Sequence, residues 1–256
     1  MSPLIGDRTP EPQPVRTLGL KGLHHPMPPP QGAYEWVYLW QWPVRAMHWI
    51  AAACVVLLIL TGLYIGRPYF LMDRATSASP ILNGVRLSHF VAAGVLIATG
   101  IVRGYWLVAG NKYERFAALF PVRKSDWVSL WKMITYYVFI HPKRAPHYLG
   151  HNPLQQLAYT LVYVVALVMV VTGFALYGQS NPYGVLFKLF GWVAPAVGGL
   201  QMLRVIHHVL TWFFVTFIPI HVYLAIRADV IDRGGTISSI ISGGRFVDPK
   251  EDYIDA

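Results

Sequence analysis

The chain has 256 residues, of which 55% are hydrophobic and 13% are charged, and its formal net charge is +9. This composition is too apolar for an ordinary soluble domain, and the apolar residues lie in blocks, so we predict an integral membrane protein. The basic residues lie mainly in the segments that flank these blocks, which argues against binding to nucleic acid.

The first 35 residues are rich in proline and basic residues and contain no apolar core. A cleaved signal peptide needs such a core, so we predict a flexible cytoplasmic tail over 1–35. A helical membrane domain should follow over 36–244, and 245–256 should form a second cytoplasmic tail.

Four apolar blocks are long enough to cross a membrane. Because lipid offers the backbone no hydrogen bonds, each block should be a helix, which predicts an all-α bundle of four transmembrane helices. Pro43 suits the start of the first helix, and Gly178 with Pro182 suits the end of the third. The blocks cover about 44–66, 84–108, 154–178 and 203–226, against roughly 20 residues that a bilayer core requires.

Charges in the loops predict the orientation of the bundle. The segment 109–153 carries seven lysines and arginines, whereas 179–202 carries only Lys188. The positive-inside rule therefore places 109–153 and both termini in the cytoplasm. Two loop segments have the pattern of helices lying on the membrane surface, 125–140 inside and 183–193 outside.

Four histidines near the ends of the blocks form the candidate site: His48, His89, His207 and His221. His207 and His221 are fourteen residues apart, a step that returns to within roughly 40° of the same helix face and rises about 21 Å. The predicted topology pairs His48 with His221 on the inner side and His89 with His207 on the outer side. Two facing imidazoles at each of two depths are expected for two b-type haems.

Other ligands and another metal are less suitable. His208 rivals His207, but it lies about 140° away from the face of His221. Zinc needs a third or fourth ligand, and no carboxylate or cysteine lies at either depth. The single cysteine, Cys54, leaves no disulfide, thiolate-bound cluster or C-x-x-C-H haem attachment. The remaining histidines lie in tail or loop segments and are not predicted as ligands: His24, His25, His141, His147 and His151.

The same fourteen-residue step selects two further residues. From His48 it reaches Gly62, where a missing side chain would let a flat macrocycle approach the backbone at the outer level. From His89 it reaches Arg103 at the inner level. Arg103 either pairs with a haem propionate or extends to the cytoplasmic headgroups, and both alternatives stay open.

Six short stretches in order resemble the b-type cytochrome subunit of membrane-bound nickel–iron hydrogenases, a family related to the gamma subunit of formate dehydrogenase. The resemblance covers the chain from about Val37 to Gly244 and leaves the proline-rich N-terminus outside. The stretches are VRAMHW at 44–49, RLSHFVAAG at 86–94, RGYWLVAGNKY at 103–113, GHNPLQQ at 150–156, TGFALY at 172–177 and HVYLAIRADV at 221–230.

This resemblance implies the electron-transfer subunit of a hydrogen:quinone oxidoreductase complex in the inner membrane of a bacterium. The expected partners are the hydrogenase large subunit, its iron–sulfur small subunit, membrane lipid and quinone. The resemblance assigns the axial haem ligands to the same four histidines as the spacing does. It also implies a quinone pocket near the inner haem around Gly110, Asn111 and Tyr113, where an amide or phenol could hydrogen-bond a quinone carbonyl.

Several alternatives remain at this stage. A cytochrome of the same fold could serve a formate dehydrogenase or a thiosulfate reductase, or act alone as a di-haem cytochrome that oxidises superoxide. A metal transporter would use the histidines as transient ligands, but the blocks lack paired inverted halves and a midplane cluster of ionisable groups. A purely structural membrane anchor is the third class.

Overall fold

The computed structural model describes residues 34–68, 79–122, 124–139, 148–232, 234–249 and 253. The predicted tail over 1–35 therefore lies almost wholly outside the described residues, as do His24, His25, His141 and His147. In chain order the elements are β1 (Glu35–Tyr38), α1 (Trp42–Gly66), α2 (Pro80–Ala109), α3 (Phe116–Leu119), α4 (Lys124–Phe139), α5 (Pro153–Gly178), α6 (Val185–Phe190), α7 (Val193–Ala196), α8 (Leu200–Asp232), α9 (Thr236–Ser242) and β2 (Gly244–Val247).

The four long helices α1, α2, α5 and α8 are apolar enough to cross a membrane. Only 6% to 22% of their most apolar stretches is buried inside the protein. Their apolar side chains therefore face outward, where lipid would cover them. The predicted all-α bundle of four transmembrane helices is confirmed, and the chain is a multi-pass membrane protein.

The helix ends follow local signals in the sequence. Pro43 lies in the first turn of α1, and α5 ends at Gly178, as predicted. Asn152 and Gln155 form a capping box at the start of α5, with two reciprocal hydrogen bonds of 2.9 Å. The last span is longer than predicted, because α8 continues through Pro219 to Asp232. Membrane helices tolerate an internal proline when neighbouring groups satisfy the freed carbonyl.

The helices pack in sequential pairs. α1 lies along α2, α5 lies along α8, and α1 also contacts α8. A small core of Ala175, Val193, Ala194 and Leu203 joins α5, α7 and α8 at one end of the bundle. The turn into α8 runs through Gly198 and Gly199, whose φ angles of 96° and 106° lie in the left-handed region that glycine tolerates.

A two-stranded antiparallel sheet lies at the other end of the bundle, with Glu35 opposite Val247 and Tyr38 opposite Gly244. A second core joins this sheet to the loops that follow α2 and precede α5, through Leu39, Tyr113, Leu149 and Val247. We call this the sheet end and the opposite one the far end. α1 and α5 begin at the sheet end, and α2 and α8 end there.

The C-terminal tail and the two surface segments differ in how they compare with the structure. The C-terminal tail predicted from residue 245 begins inside β2, so residues 245–247 belong to the folded sheet. Any tail must therefore begin after Val247, because this residue is buried in the same core as Leu39. The two predicted surface segments, 125–140 and 183–193, do contain helices, namely α4 and α6. Their position on a membrane surface stays a prediction, as does the orientation of the termini.

Candidate haem-binding sites

His48 of α1 and His221 of α8 face each other at the sheet end. Their ring centres are 6.4 Å apart and their planes are inclined by 48°. A metal bound to one nitrogen of each ring at about 2 Å, with about 1 Å from nitrogen to ring centre, needs centres about 6 Å apart. The observed separation therefore fits one metal ion between the two imidazoles. Phe217 stacks on the His221 ring with centres 5.4 Å apart, which holds that ring in place.

His89 of α2 contacts α1 at the far end. The hydroxyl of Thr61 lies 2.9 Å from His89 Nδ1 and 2.6 Å from the carbonyl oxygen of Leu57 on its own helix. Because the hydroxyl proton is donated to that carbonyl, the hydroxyl oxygen accepts the Nδ1–H of His89. The proton then sits on Nδ1, and Nε2 keeps a free lone pair for a metal.

His207 of α8 has the same environment on α5. The hydroxyl of Thr172 lies 2.8 Å from His207 Nδ1 and 2.7 Å from the carbonyl oxygen of Val168. The argument made for His89 again leaves Nε2 as the free nitrogen. His89 and His207 also lie near enough for their rings to interact electrostatically. The far end therefore presents two imidazoles in the tautomer that binds metal through Nε2.

A glycine next to each threonine makes room for the imidazole. A Cβ built on Gly62 would lie 3.3 Å from His89 Cε1, and one built on Gly173 would lie 3.4 Å from His207 Cε1. The approach at Gly62 is tighter than most Cβ contacts, so a larger residue there would push the ring away, whereas the approach at Gly173 lies at the lower edge of ordinary van der Waals contact. Gly62 thus lies at the far end, level with His89, where it accommodates the histidine ring. An approach of the macrocycle to its backbone stays a prediction.

His208, the rival of His207, has a different environment. Its ring packs against the end of α1, where a Cβ on Gly66 would lie 3.0 Å from His208 Cε1. It lacks the threonine hydrogen bond that His207 makes. This placement favours His207 as the ligand.

Arg103 turns toward the interior of the sheet end. Its Nη2 donates to the carbonyl oxygen of Glu114 at 3.1 Å, and its Nη1 is buried without a hydrogen-bond partner among the described residues. Of the two alternatives left open by the sequence, this placement favours the propionate, because an arginine that extends to the headgroups keeps its guanidinium in water. A buried, unpaired guanidinium N–H is suited to a carboxylate acceptor.

The loop predicted to hold quinone makes structural contacts. Asn111 donates from its amide to the carbonyl of Leu39 at 2.7 Å and accepts from the backbone N–H of Tyr113 at 2.9 Å. A Cβ on Gly110 would lie 2.8 Å from the carbonyl oxygen of Trp106, and Tyr113 belongs to the sheet-end core. Each of the three predicted residues therefore has a packing role, and their contact with quinone stays a prediction.

Glu114 in the same loop was missed by sequence reasoning. Its side chain is 0% exposed. It accepts from the backbone N–H of Gln41 at 2.5 Å and from Trp106 Nε1 at 2.9 Å. Gln41 immediately precedes α1, so this carboxylate fastens the start of the helix that carries His48.

His151 was predicted to be an ordinary loop residue. Its ring lies between Trp40 and Tyr159, with ring centres 4.8 Å and 4.9 Å away. Burial, and then the positive charge of Arg103, lowers the pKa of His151 to about 3, although a hydrogen bond with the Tyr113 backbone raises it. The ring is therefore neutral near pH 7. Its buried Nδ1 has no partner within the described segments.

Fold and site together define a class of protein. Four apolar helices carry two histidine pairs at two levels, and the far-end rings are held in a metal-binding tautomer. In the described part of the chain, no three His, Cys, Asp or Glu side chains come together to hold a metal ion. Two imidazoles on opposite sides of one metal fit haem iron, which takes its other four ligands from the porphyrin. The class is a membrane cytochrome of the b type.

Comparison with known proteins gives the family. Residues 39–243 match the model of the prokaryotic cytochrome b561 family. Among similar proteins, the "Probable Ni/Fe-hydrogenase B-type cytochrome subunit" of Azotobacter vinelandii is 40% identical over 84% of this chain and 91% of its own length. The protein of the same name from Cupriavidus necator is 36% identical over 81% of this chain and 86% of its own length.

A third relative is more distant. The "Probable Ni/Fe-hydrogenase 1 B-type cytochrome subunit" of Escherichia coli is 32% identical over 81% of this chain and 90% of its own length. The chain belongs to the prokaryotic cytochrome b561 family. The family resemblance drawn from the sequence is confirmed, and the chain is a b-type cytochrome that binds haem b and transfers electrons in a membrane.

Proposed function

We propose that this chain is the cytochrome b subunit of a membrane-bound nickel–iron hydrogenase and carries electrons from the hydrogenase to quinone. The observation that carries the proposal is the presence of two histidine pairs, one at each end of a single bundle. His207 and His221 are fourteen residues apart on α8, which separates the two levels by about 21 Å. These pairs, His89 with His207 and His48 with His221, would each hold one haem b.

The names of the relatives support the choice of electron donor. Proteins of 32% to 40% identity, matched over most of their lengths, are named Ni/Fe-hydrogenase B-type cytochrome subunits. A formate dehydrogenase or thiosulfate reductase subunit, or a cytochrome without partners, would share the fold but has no such support. The expected partners are the iron–sulfur small subunit and the large subunit of the hydrogenase.

The residues of the chain bind, orient and shield the haems, which supply one-electron redox chemistry when bound. The four histidines would hold the haem irons through their ring nitrogens. Thr61 and Thr172 orient the far-end rings, and Phe217 supports His221. Arg103 neutralises a propionate at the sheet end. The surrounding apolar helices exclude water, which strengthens the electrostatic influence of these groups.

We place quinone reduction at the sheet end, which the loop charges predict to be cytoplasmic. One quinone takes two electrons from the cytochrome and two protons from that side to form a quinol. If hydrogen is oxidised on the opposite side, each turnover builds a proton gradient across the membrane. At this end the buried Nδ1 of His151 has no partner among the described residues, and we place the quinone carbonyl near it.

The test combines haem content with electron transfer. The purified chain should contain two haems b, and membranes that hold the full complex should reduce quinone with hydrogen as donor. Replacing His221 with Ala should remove one haem and stop quinone reduction, while replacing His208 with Ala serves as the control and should leave both unchanged. A parent protein without haem, or an H221A protein that keeps both haems, would contradict the proposal.

Co-purification identifies the donor. Hydrogenase large and small subunits should be recovered with the affinity-tagged chain from solubilised membranes. Recovery of formate dehydrogenase or thiosulfate reductase subunits in their place would assign the other donor to the same fold.

A further inference from the structure

We propose that Thr61 and Thr172 lower the midpoint potential of the far-end haem below that of the sheet-end haem, and thereby direct electrons from the far end to the sheet end. Both act through the histidines and are positioning residues. This inference rests on the proposed function, because it takes His89 and His207 as the ligands of the far-end haem.

The hydroxyl groups of both threonines are strong acceptors in a dry environment. Thr61 is 8% exposed and Thr172 is 3% exposed. Each hydroxyl donates its proton to a carbonyl of its own helix, at 2.6 Å for Thr61 and 2.7 Å for Thr172. A hydroxyl that donates in this way is polarised and accepts more strongly, since hydrogen bonds in a chain reinforce one another.

Among the described residues, no threonine hydroxyl is seen at Nδ1 of a sheet-end histidine. His48 Nδ1 is buried and has no hydrogen-bond partner in the described part of the chain. His221 makes a ring stack with Phe217, with centres 5.4 Å apart. Across the described segments, a threonine hydroxyl is therefore seen at Nδ1 of His89 and of His207 and at no sheet-end ligand.

This difference affects the potentials in one direction. A hydrogen bond from Nδ1–H makes the imidazole a more basic ligand. A more basic ligand donates more electron density and stabilises ferric iron more than ferrous iron, which lowers the midpoint potential. With two such bonds at the far end and none seen at the sheet end, electrons that arrive at the far end move downhill toward the sheet end.

A short repeat in the sequence supports the inference. Thr-Gly occurs at 61–62 in α1, at 99–100 in α2 and at 172–173 in α5, and the first and third of these dipeptides each contact one far-end histidine. The glycine lets the ring approach its helix, and the threonine then reaches Nδ1. Two separate helices therefore make the same contact with the same residue pair, whereas the hydroxyl of Thr99 in α2 donates to the carbonyl oxygen of Val95 on its own helix at 2.8 Å.

The test is a redox titration of the purified cytochrome, followed by absorption and by EPR of the low-spin haems. Thr61→Val and Thr172→Val together remove both hydroxyls and keep nearly the same side-chain shape. The far-end component, identified as the one retained in the H221A variant, should shift to higher potential. We expect up to a tenfold change in its ratio of reduced to oxidised form at fixed potential, which is about 59 mV for one electron.

Two further variants make the experiment specific. Serine at both positions restores a hydroxyl and should return the potential toward that of the parent. Thr99→Val is the matched control, because Thr99 also precedes a glycine in a membrane helix and its hydroxyl donates to the carbonyl oxygen of Val95 on its own helix, at 2.8 Å, rather than lying against an imidazole. It should leave both potentials unchanged.

The inference is overturned if both haems are retained and neither potential moves in the double valine variant, or if both potentials move equally. If the double variant loses the far-end haem, the single valine variants, which keep one hydroxyl, are titrated, and an unmoved potential there overturns the inference as well. Fewer than two haems in the parent would contradict the proposed function, whereas two haems with unmoved potentials contradict this inference alone.

Discussion

Replacing Glu114 with Ala should release the sheet-end haem while the far-end haem stays bound. The Glu114 carboxylate accepts from Gln41 N at 2.5 Å and Trp106 Nε1 at 2.9 Å, with 0% of the side chain exposed. Hydrogen bonds to a charged group contribute about 1.5–3 kcal/mol each, so the loss of two should cost about 3–6 kcal/mol. This is a large part of the about 5–15 kcal/mol that stabilises a typical domain. The damage should concentrate where α1 begins, six residues before His48.

Haem content and thermal denaturation, both followed by haem absorption in detergent, measure the effect. Glu114→Gln should be milder, because the amide keeps one acceptor oxygen of the same shape. Glu35→Ala removes an exposed carboxylate from β1 and is the matched control, with no loss of haem expected. A Glu114→Ala protein that melts like the parent, or that loses both haems together, would refute the assignment of Glu114 as the group that holds the start of α1.

Three further predictions concern histidines. The H221A variant should retain about half of the parent's haem absorbance, because the far-end pair His89/His207 is unchanged. Full retention of the absorbance would contradict the pairing of His48 with His221. Replacing His207 with Ala should remove the far-end haem, whereas replacing His208 with Ala should not. The number of haems per protein measures the difference. Between pH 7 and pH 5 the protein should lose about 2 kcal/mol of stability through His151, because the unfolded residue gains a proton with a pKa near 6.5 while the buried ring, whose pKa is about 3, does not. Melting curves at both values should show this loss in the parent and not in a His151→Gln variant.

The four spans were predictable because hydrophobic length is a local property. A run of some 20 apolar residues must be helical in lipid whatever its neighbours are. The observed helices therefore start and end close to the predicted limits, with the largest difference at α8, which runs on to Asp232. Nothing in a hydropathy pattern marks that end, because the last turns of α8 lie beyond the apolar block.

The candidate site was predictable in part. His207 and His221 lie on one continuous helix, so their common face and their separation along the axis follow from helix geometry alone. His48 and His221 were matched from the order of the spans, and the structure brings their rings to 6.4 Å. The assignment of these pairs as haem ligands stays a proposal.

The contacts of other residues could be identified only from the tertiary structure. Thr61 meets His89 and Thr172 meets His207 across 28 and 35 residues of sequence. The Thr-Gly dipeptide is a weak signal for both, because Thr99-Gly100 on α2 has the same sequence and no contact with a histidine is seen there among the described residues. His151 gave no signal, since its neighbours Trp40 and Arg103 come from two distant segments.

The membrane class, the four helices, the face and spacing of the α8 histidines and the family could all be predicted from the amino-acid sequence. These features depend on composition, on the 1.5 Å rise of a helix and on order along the chain, which are local or additive quantities. The tertiary structure alone decided which nitrogen of each far-end histidine is free, which carboxylate fastens α1 and how a loop histidine becomes buried. Those outcomes depend on distances of about 3 Å between segments far apart in sequence, and no local rule sets such distances.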